Sequence, residues 1–157
     1  LGYTMQTATS DRFLITEKEI LGKIDVLLGG RAAESIIFDQ VSSGAANDLS
    51  QATEIARTMI MDYGMSKKFR NMVLSSRQPT LLDKGGLASP TQIREHSEMT
   101  QQYIDETIAE TIDQRFELVV SLLEEKKDCL QVVAAKLLEL ETMNASQFQE
   151  IIKDCKK

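Results

Sequence analysis

The sequence predicts a mainly α-helical fold with one or two short strands and an antiparallel helical bundle in its C-terminal part. Apolar residues recur at helical spacing through most of the chain. Aromatic residues make up only 5% and Trp is absent, so the core must consist mostly of Leu, Ile, Val, Met and Ala. At 157 residues the chain is about one domain long, which is enough to bury a core without disulfides.

The N-terminal part predicts a short strand and then a helix. Residues 1–13 fit a strand only briefly. Thr16 and Glu19 have the spacing of a capping box, so we expect a helix to begin there and to continue to about Phe38. The pair Gly29–Gly30 interrupts this helix, and we expect it to let another backbone pack closely.

A second helix is predicted after the Ser/Gly loop at 42–46, with Gly64 as its C-terminal stop. Its apolar stripe consists of Leu49, Ala52, Ala56, Met59, Ile60 and Tyr63. Periodicity disappears from 66 to about 89, apart from a possible strand at 72–75. Loops of this length are usually functional or disordered, so this one is a candidate border of a binding cleft.

The C-terminal part predicts three helices. The longest extends from about Ser97 to Glu125, and a polar break at 124–128 separates it from the next. Its apolar stripe consists of Ile104, Ile108, Ile112, Phe116, Val119 and Leu123, and that of the following helix of Leu130, Val133, Leu137 and Leu140. Asn144 is expected to cap a last helix through Lys153. The short connections favour an antiparallel bundle.

The chain divides into three regions of one partial domain. Residues 1–66 contain most of the distinctive glycine and Ser/Gly motifs, 67–96 form an irregular loop region, and 97–157 form the helical bundle. Chemistry is expected in the first region. Because Leu1 lies within a predicted strand, we expect the chain to be a piece of a longer protein.

Charge and composition exclude several classes of function. The formal net charge of -6 argues against nucleic-acid binding, which needs clustered Lys and Arg. No window reaches the roughly 18 to 20 apolar residues of a membrane-spanning helix, so a soluble segment is expected. Cys129 and Cys155 lack CxxC spacing and are expected to be reduced.

No complete catalytic or metal motif is present. The sequence contains no P-loop, no dinucleotide-binding glycine pattern and no HExxH. Its one histidine, His96, has no recognisable catalytic partners and is placed outside any active site.

Asp48 is the one candidate metal ligand, and two interpretations of it remain open. An Asp in the first turn of a helix is favoured by the unsatisfied amides and the helix dipole, so capping alone explains many such residues. Alternatively, the small residues at 44–46 hold a rigid carboxylate towards a metal. A single Asp would then have to be a third ligand.

The residues around Asp48 resemble the protease domain of the FtsH family of ATP-dependent zinc metalloproteases. The resemblance rests on four ordered blocks, at 1–5 (LGYTM), 28–34 (LGGRAAE), 43–49 (SGAANDL) and 63–66 (YGMS). It is looser at 97–105 and 138–142, and fails between 75 and 95.

The resemblance implies that this is the C-terminal part of a helical metalloprotease domain, with Asp48 as the third zinc ligand. No catalytic residue would lie in this chain, because the family's HExxH helix supplies two histidine ligands and the general-base glutamate shortly before the block at 1–5. The isolated chain should therefore be inactive.

The family also implies features of the longer protein. These are an ATP-binding AAA+ module, membrane segments, a homohexamer, and membrane or misfolded soluble proteins as substrates. The expected location is the bacterial inner membrane with this domain facing the cytoplasm, or a mitochondrial or chloroplast membrane. The alternative is a non-catalytic helical oligomerisation module or a degenerate protease homologue.

Overall fold

A computed structural model describes residues 14–40, 42–74 and 97–155. These residues form five α-helices and one short 3-10 helix, which confirms the mainly α-helical prediction. The α-helices are α1 (Glu17–Phe38), α2 (Ala46–Met61), α3 (Glu98–Glu125), α4 (Lys127–Leu140) and α5 (Ala145–Asp154), and the 3-10 helix is Ser43–Ala45.

The predicted strands find no support in the described ranges. Residues 72–74 form no strand, and Ser75 and the segment 1–13 lie outside the described residues. The same holds for His96 and for most of the predicted loop region, residues 75–96. No helix in the described part of the chain is long and apolar enough to cross a bilayer.

The capping box predicted for α1 is present. The Thr16 hydroxyl oxygen accepts a hydrogen bond from the Glu19 amide at 3.3 Å, and a Glu19 carboxylate oxygen accepts one from the Thr16 amide at 2.8 Å. The close packing expected at Gly29–Gly30 is wrong for the described residues. A Cβ at either glycine would meet no atom of another segment within 4 Å. No other described segment therefore packs against this part of α1.

The core lies between α1, α2 and α3, which all contact one another. Helical spacing places one apolar face of each helix towards the other two, and burial of these faces is the main source of stability. The buried cluster consists of Ile20, Ile24, Leu28, Ala52, Ala56, Met59, Ile60, Leu74, Ile104 and Ile108. The small, fully buried side chains of Ala52 and Ala56 bring α2 close to its neighbours.

The end of α2 requires a glycine. Gly64 has a φ of +62°, and a Cβ there would lie 2.8 Å from the carbonyl oxygen of Met72. The segment after Gly64 folds back onto the end of α2. There the Leu74 amide donates a hydrogen bond of 2.7 Å to the Met61 carbonyl oxygen. Gly64 thus confirms the predicted stop. Tyr63, predicted as part of the buried stripe, is 52% exposed because the helix has already ended.

An ion pair joins α3 to α1. The guanidinium of Arg115 donates hydrogen bonds to both carboxylate oxygens of Asp25, with an Nε–Oδ1 distance of 2.6 Å. This bidentate geometry is among the stronger charged hydrogen-bonding arrangements in proteins. The hydrogen bonds to Asp25 raise the pKa of Arg115. The pair fixes the position of α3 along α1.

The last two helices lie apart from the core. The break between α3 and α4 is confined to Lys126, so it is shorter than the predicted 124–128. Asn144 and Gln147 form the capping box that starts α5. Neither α4 nor α5 contains a buried residue, and α4 has more contacts with α5 than with α3. The antiparallel arrangement of the C-terminal helices stays a prediction.

Candidate metal centre

The segment that leads into α2 is shaped by Ser42. Its hydroxyl oxygen accepts a hydrogen bond of 3.1 Å from the Gly44 amide and so caps the 3-10 helix. That helix continues directly into α2 at Ala46. Ala45, the last residue of the 3-10 helix, is buried at the junction. The hydrogen bond of Ser42 and the burial of Ala45 thus position the backbone before Asp48.

Asp48 lies in the first turn of α2, where the partial positive charge of the helix N-terminus favours a carboxylate. It does not cap the helix, because the N-cap residue is Ala45 and makes no side-chain hydrogen bond. The capping interpretation is therefore wrong, although the favourable position relative to the helix dipole remains. Within the described residues, the half-buried Asp48 side chain makes no hydrogen bond or ion pair. Among the residues that the structure describes, its carboxylate oxygens therefore have no partner.

Glu34 holds the segment before Asp48. One carboxylate oxygen accepts a hydrogen bond of 2.7 Å from the Ser42 hydroxyl, and the other accepts one of 3.1 Å from the Ser42 amide. We call this pair the Glu34–Ser42 latch. Through it, the last part of α1 is fixed to the start of the 3-10 helix.

The latch also changes the ionisation of Glu34. The side-chain and backbone hydrogen bonds from Ser42 lower the pKa of Glu34 below its ordinary value, with a smaller contribution from the charge of Arg31. The sequence gives no signal for this contact, because a separation of eight residues matches neither a helical nor a capping spacing.

We expect Glu34→Gln to loosen the latch, because a neutral amide accepts a weaker hydrogen bond than a carboxylate does. In the unchanged chain, a lowered folded-state pKa means that the latch contributes stability above the unfolded pKa of Glu. That contribution is lost as pH falls through the lower folded-state pKa. The amide resonances of Ser42 and Gly44, followed by NMR against pH, should report this loss in the unchanged chain and not in the variant.

The matched control is Glu54→Gln on the exposed side of α2. It should leave the pH response of the Ser42 and Gly44 amides unchanged. An unchanged response in Glu34→Gln itself would show that Glu34 does not hold the segment.

Asp48 fits one ligand of a metal site but not a whole site. Catalytic zinc is typically held by three protein ligands drawn from His, Cys, Asp and Glu. In the described ranges no three such residues come together in a way that could hold a metal ion. Asp48 offers a carboxylate with no partner among residues 14–40, 42–74 and 97–155, which suits a third ligand. Further ligands would have to come from outside the described residues.

Comparisons with known proteins identify the family of the chain. The family model described as Peptidase family M41 matches residues 1–151. An "ATP-dependent zinc metalloprotease FtsH" of Syntrophobacter fumaroxidans is 40% identical over 156 residues, which are 99% of this chain and 24% of the relative. The protein of the same name from Thermus thermophilus is 41% identical over 152 residues, 97% of this chain and 23% of the relative.

The alignments cover almost all of this chain but only a small part of each relative. "ATP-dependent zinc metalloprotease FtsH 4" of Synechocystis sp. is 38% identical over 97% of this chain and 24% of its own length. The chain thus spans about a quarter of the length of these relatives. A family model that covers residues 1–151, with relatives of this identity, shows that the chain belongs to peptidase family M41.

Proposed function

We propose that this chain is part of a zinc endopeptidase and that Asp48 is one of the three protein ligands of the metal. The observation that carries the proposal is the half-buried carboxylate of Asp48, which has no partner in the described part of the chain. It lies at a helix start that the Glu34–Ser42 latch joins to α1. Membership of family M41 and the zinc metalloproteases among its relatives support the assignment.

The chemistry divides between this chain and the rest of the protein. When bound, zinc supplies Lewis-acid activation for hydrolysis of a peptide bond. Asp48 would contribute one carboxylate oxygen ligand from the first turn of α2. The 157 residues contain one histidine and no HExxH. The resemblance to the FtsH family implies two histidine ligands and a general-base glutamate, which we assign to another segment of the protein.

The longer protein is proposed to couple ATP hydrolysis to proteolysis, as the names of the relatives state for those proteins. The expectations of a hexamer, a membrane anchor, membrane and misfolded protein substrates, and a location at the bacterial inner membrane belong to this proposal. Residues 1–157 alone are expected to have no protease activity, because they lack the HExxH motif.

Metal removal tests the function. The longer protein should contain zinc after purification, lose casein cleavage on chelation, and regain it on addition of zinc. Residues 1–157 should cleave nothing under any of these conditions. Chelator-sensitive cleavage by residues 1–157 would contradict the division of the site. A longer protein with neither zinc nor cleavage would favour the non-catalytic alternative.

A further inference from the structure

Helix α1 has a second row of apolar and small residues in addition to the row that faces the core. We call this second row the outer stripe, and it consists of Gly22, Val26, Gly29, Gly30, Ala33 and Ile37. Successive residues of a helix are about 100° apart, so the outer stripe lies nearly opposite the core face. The buried residues of the core face are Ile20, Ile24, Leu28 and Ala32. A helix that is apolar on opposite sides is typically buried on both.

The outer stripe has no cover among the residues that the structure describes. Val26 is 55% exposed and Ile37 is 37% exposed. A Cβ at Gly22, Gly29 or Gly30 would meet no atom of another described segment within 4 Å. Glycine weakens an exposed helix relative to Ala, so three glycines on one face are unfavourable unless the missing Cβ atoms serve a purpose. An apolar face without Cβ atoms fits the close approach of a second backbone.

The zinc site proposed above indicates which partner covers the outer stripe. Catalytic zinc has three protein ligands at about 2.0 to 2.3 Å, and no such set comes together in the described ranges. The segment that completes the site shares the metal with Asp48, so it lies beside the start of α2. The Glu34–Ser42 latch joins this start to Glu34, the residue directly after Ala33. A segment that reaches the metal is therefore close to one end of the outer stripe.

We propose that the outer stripe is the docking surface for an amphipathic helix of the longer protein, and that this helix supplies further zinc ligands. Its apolar side contacts Val26 and Ile37, and its backbone crosses α1 at Gly29 and Gly30. The chain spans about a quarter of the length of its relatives, so a protein of their length has ample chain for such a helix. Docking on α1 orients the added ligands relative to Asp48. The choice of partner rests on the proposed function, whereas docking itself is measurable without zinc.

The direct test is the reactivity of a thiol placed on the outer stripe. Val26→Cys should react with a maleimide at least about tenfold more slowly in the longer protein than in residues 1–157, because a docked helix has to move away first. Mass spectrometry of the peptide that contains position 26 measures the rate. Glu54→Cys is the control, since Glu54 is an exposed residue of α2 away from the outer stripe, and it should react at equal rates in the two proteins.

Three results would overturn the proposal. Equal rates at position 26 in the two proteins would show that nothing docks there. Protection already present in residues 1–157 would assign the cover to a segment of this chain, and protection that disappears on dilution would assign it to a second copy. Zinc that is bound and depends on Asp48 would keep the proposed function in each of these cases. Protection in a longer protein without zinc would keep the docking surface and overturn its link to the metal.

Gly30→Leu tests the link between docking and the metal. In residues 1–157 the position is open to the described segments and Leu is the better helix former, so the urea midpoint should rise. In the longer protein the Leu side chain would occupy the place of the docked backbone, and zinc affinity should fall by about tenfold or more. Glu110→Leu, at an exposed position of α3, should leave zinc affinity unchanged. Unchanged zinc affinity in Gly30→Leu would overturn the link, and the labelling of position 26 decides docking even if this variant does not fold.

Discussion

Asp48→Asn in the longer protein that contains this chain is expected to remove the zinc and abolish proteolysis while the fold is kept. A neutral amide is a poorer zinc ligand than a carboxylate, and changes even to outer partners of metal ligands reduce affinity or activity by about 10- to 100-fold. We therefore expect a loss of at least about 100-fold in casein cleavage. Metal content, cleavage rate and circular dichroism measure the three effects.

The stability of the metal-free protein should change little. Asp48 makes no capping hydrogen bond, so the substitution removes only a favourable charge near the helix N-terminus, worth about 0.3 to 1 kcal/mol. Asp39→Asn is the matched control. Asp39 is exposed with a φ of 49°, a conformation that Asn also adopts readily. If the Asp48→Asn variant retains zinc and activity, Asp48 is not a zinc ligand. Its remaining role would be the favourable interaction of its charge with the helix N-terminus.

Leu28→Ala should be among the most destabilising single changes in the chain. Leu28 is fully buried in the cluster that joins α1, α2 and α3. Loss of its side chain leaves a cavity in addition to the lost transfer free energy, and such changes cost about 2 to 5 kcal/mol. Urea unfolding of residues 1–157, followed by circular dichroism, should show this decrease in the free energy of unfolding.

The control for this change is Leu138→Ala on α4, where the side chain is 85% exposed. Its effect should stay within about 0.5 kcal/mol, as for most surface substitutions. Equal losses in the two variants would show that α4 contributes as much to the cooperative core as α1 does.

Local signals predicted the helices well because their causes are local. The capping boxes at Thr16 and Asn144 involve residues three positions apart, and the structure confirms both. Gly64 was predictable as a stop because few other residues accept its positive φ. The same local reasoning favoured Asp48 as a cap, which is wrong because Ser42 starts a 3-10 helix that continues into α2.

Contacts between distant residues could not be predicted in this way. The Glu34–Ser42 latch and the Asp25–Arg115 pair follow from how the helices pack, and no periodicity encodes them. The close packing predicted at Gly29–Gly30 failed for a similar reason. A glycine pair permits another backbone to approach but does not cause it, and no other described segment contacts the pair. The role of Asp48 as a ligand came from resemblance to a family, and it stays a prediction.

The Asp25–Arg115 pair has a consequence for how the molecule folds. Its two residues are 90 positions apart in the sequence, and they belong to helices α1 and α3, which pack against each other. Folding slows as the mean separation of contacting residues grows, because the entropy of closing the intervening loop is lost before the contacts form. During synthesis, α1 and α2 emerge well before α3 is available to cover their apolar faces. The helix that carries Asp48 therefore gains its full packing late, and substitutions in α3 should slow its maturation.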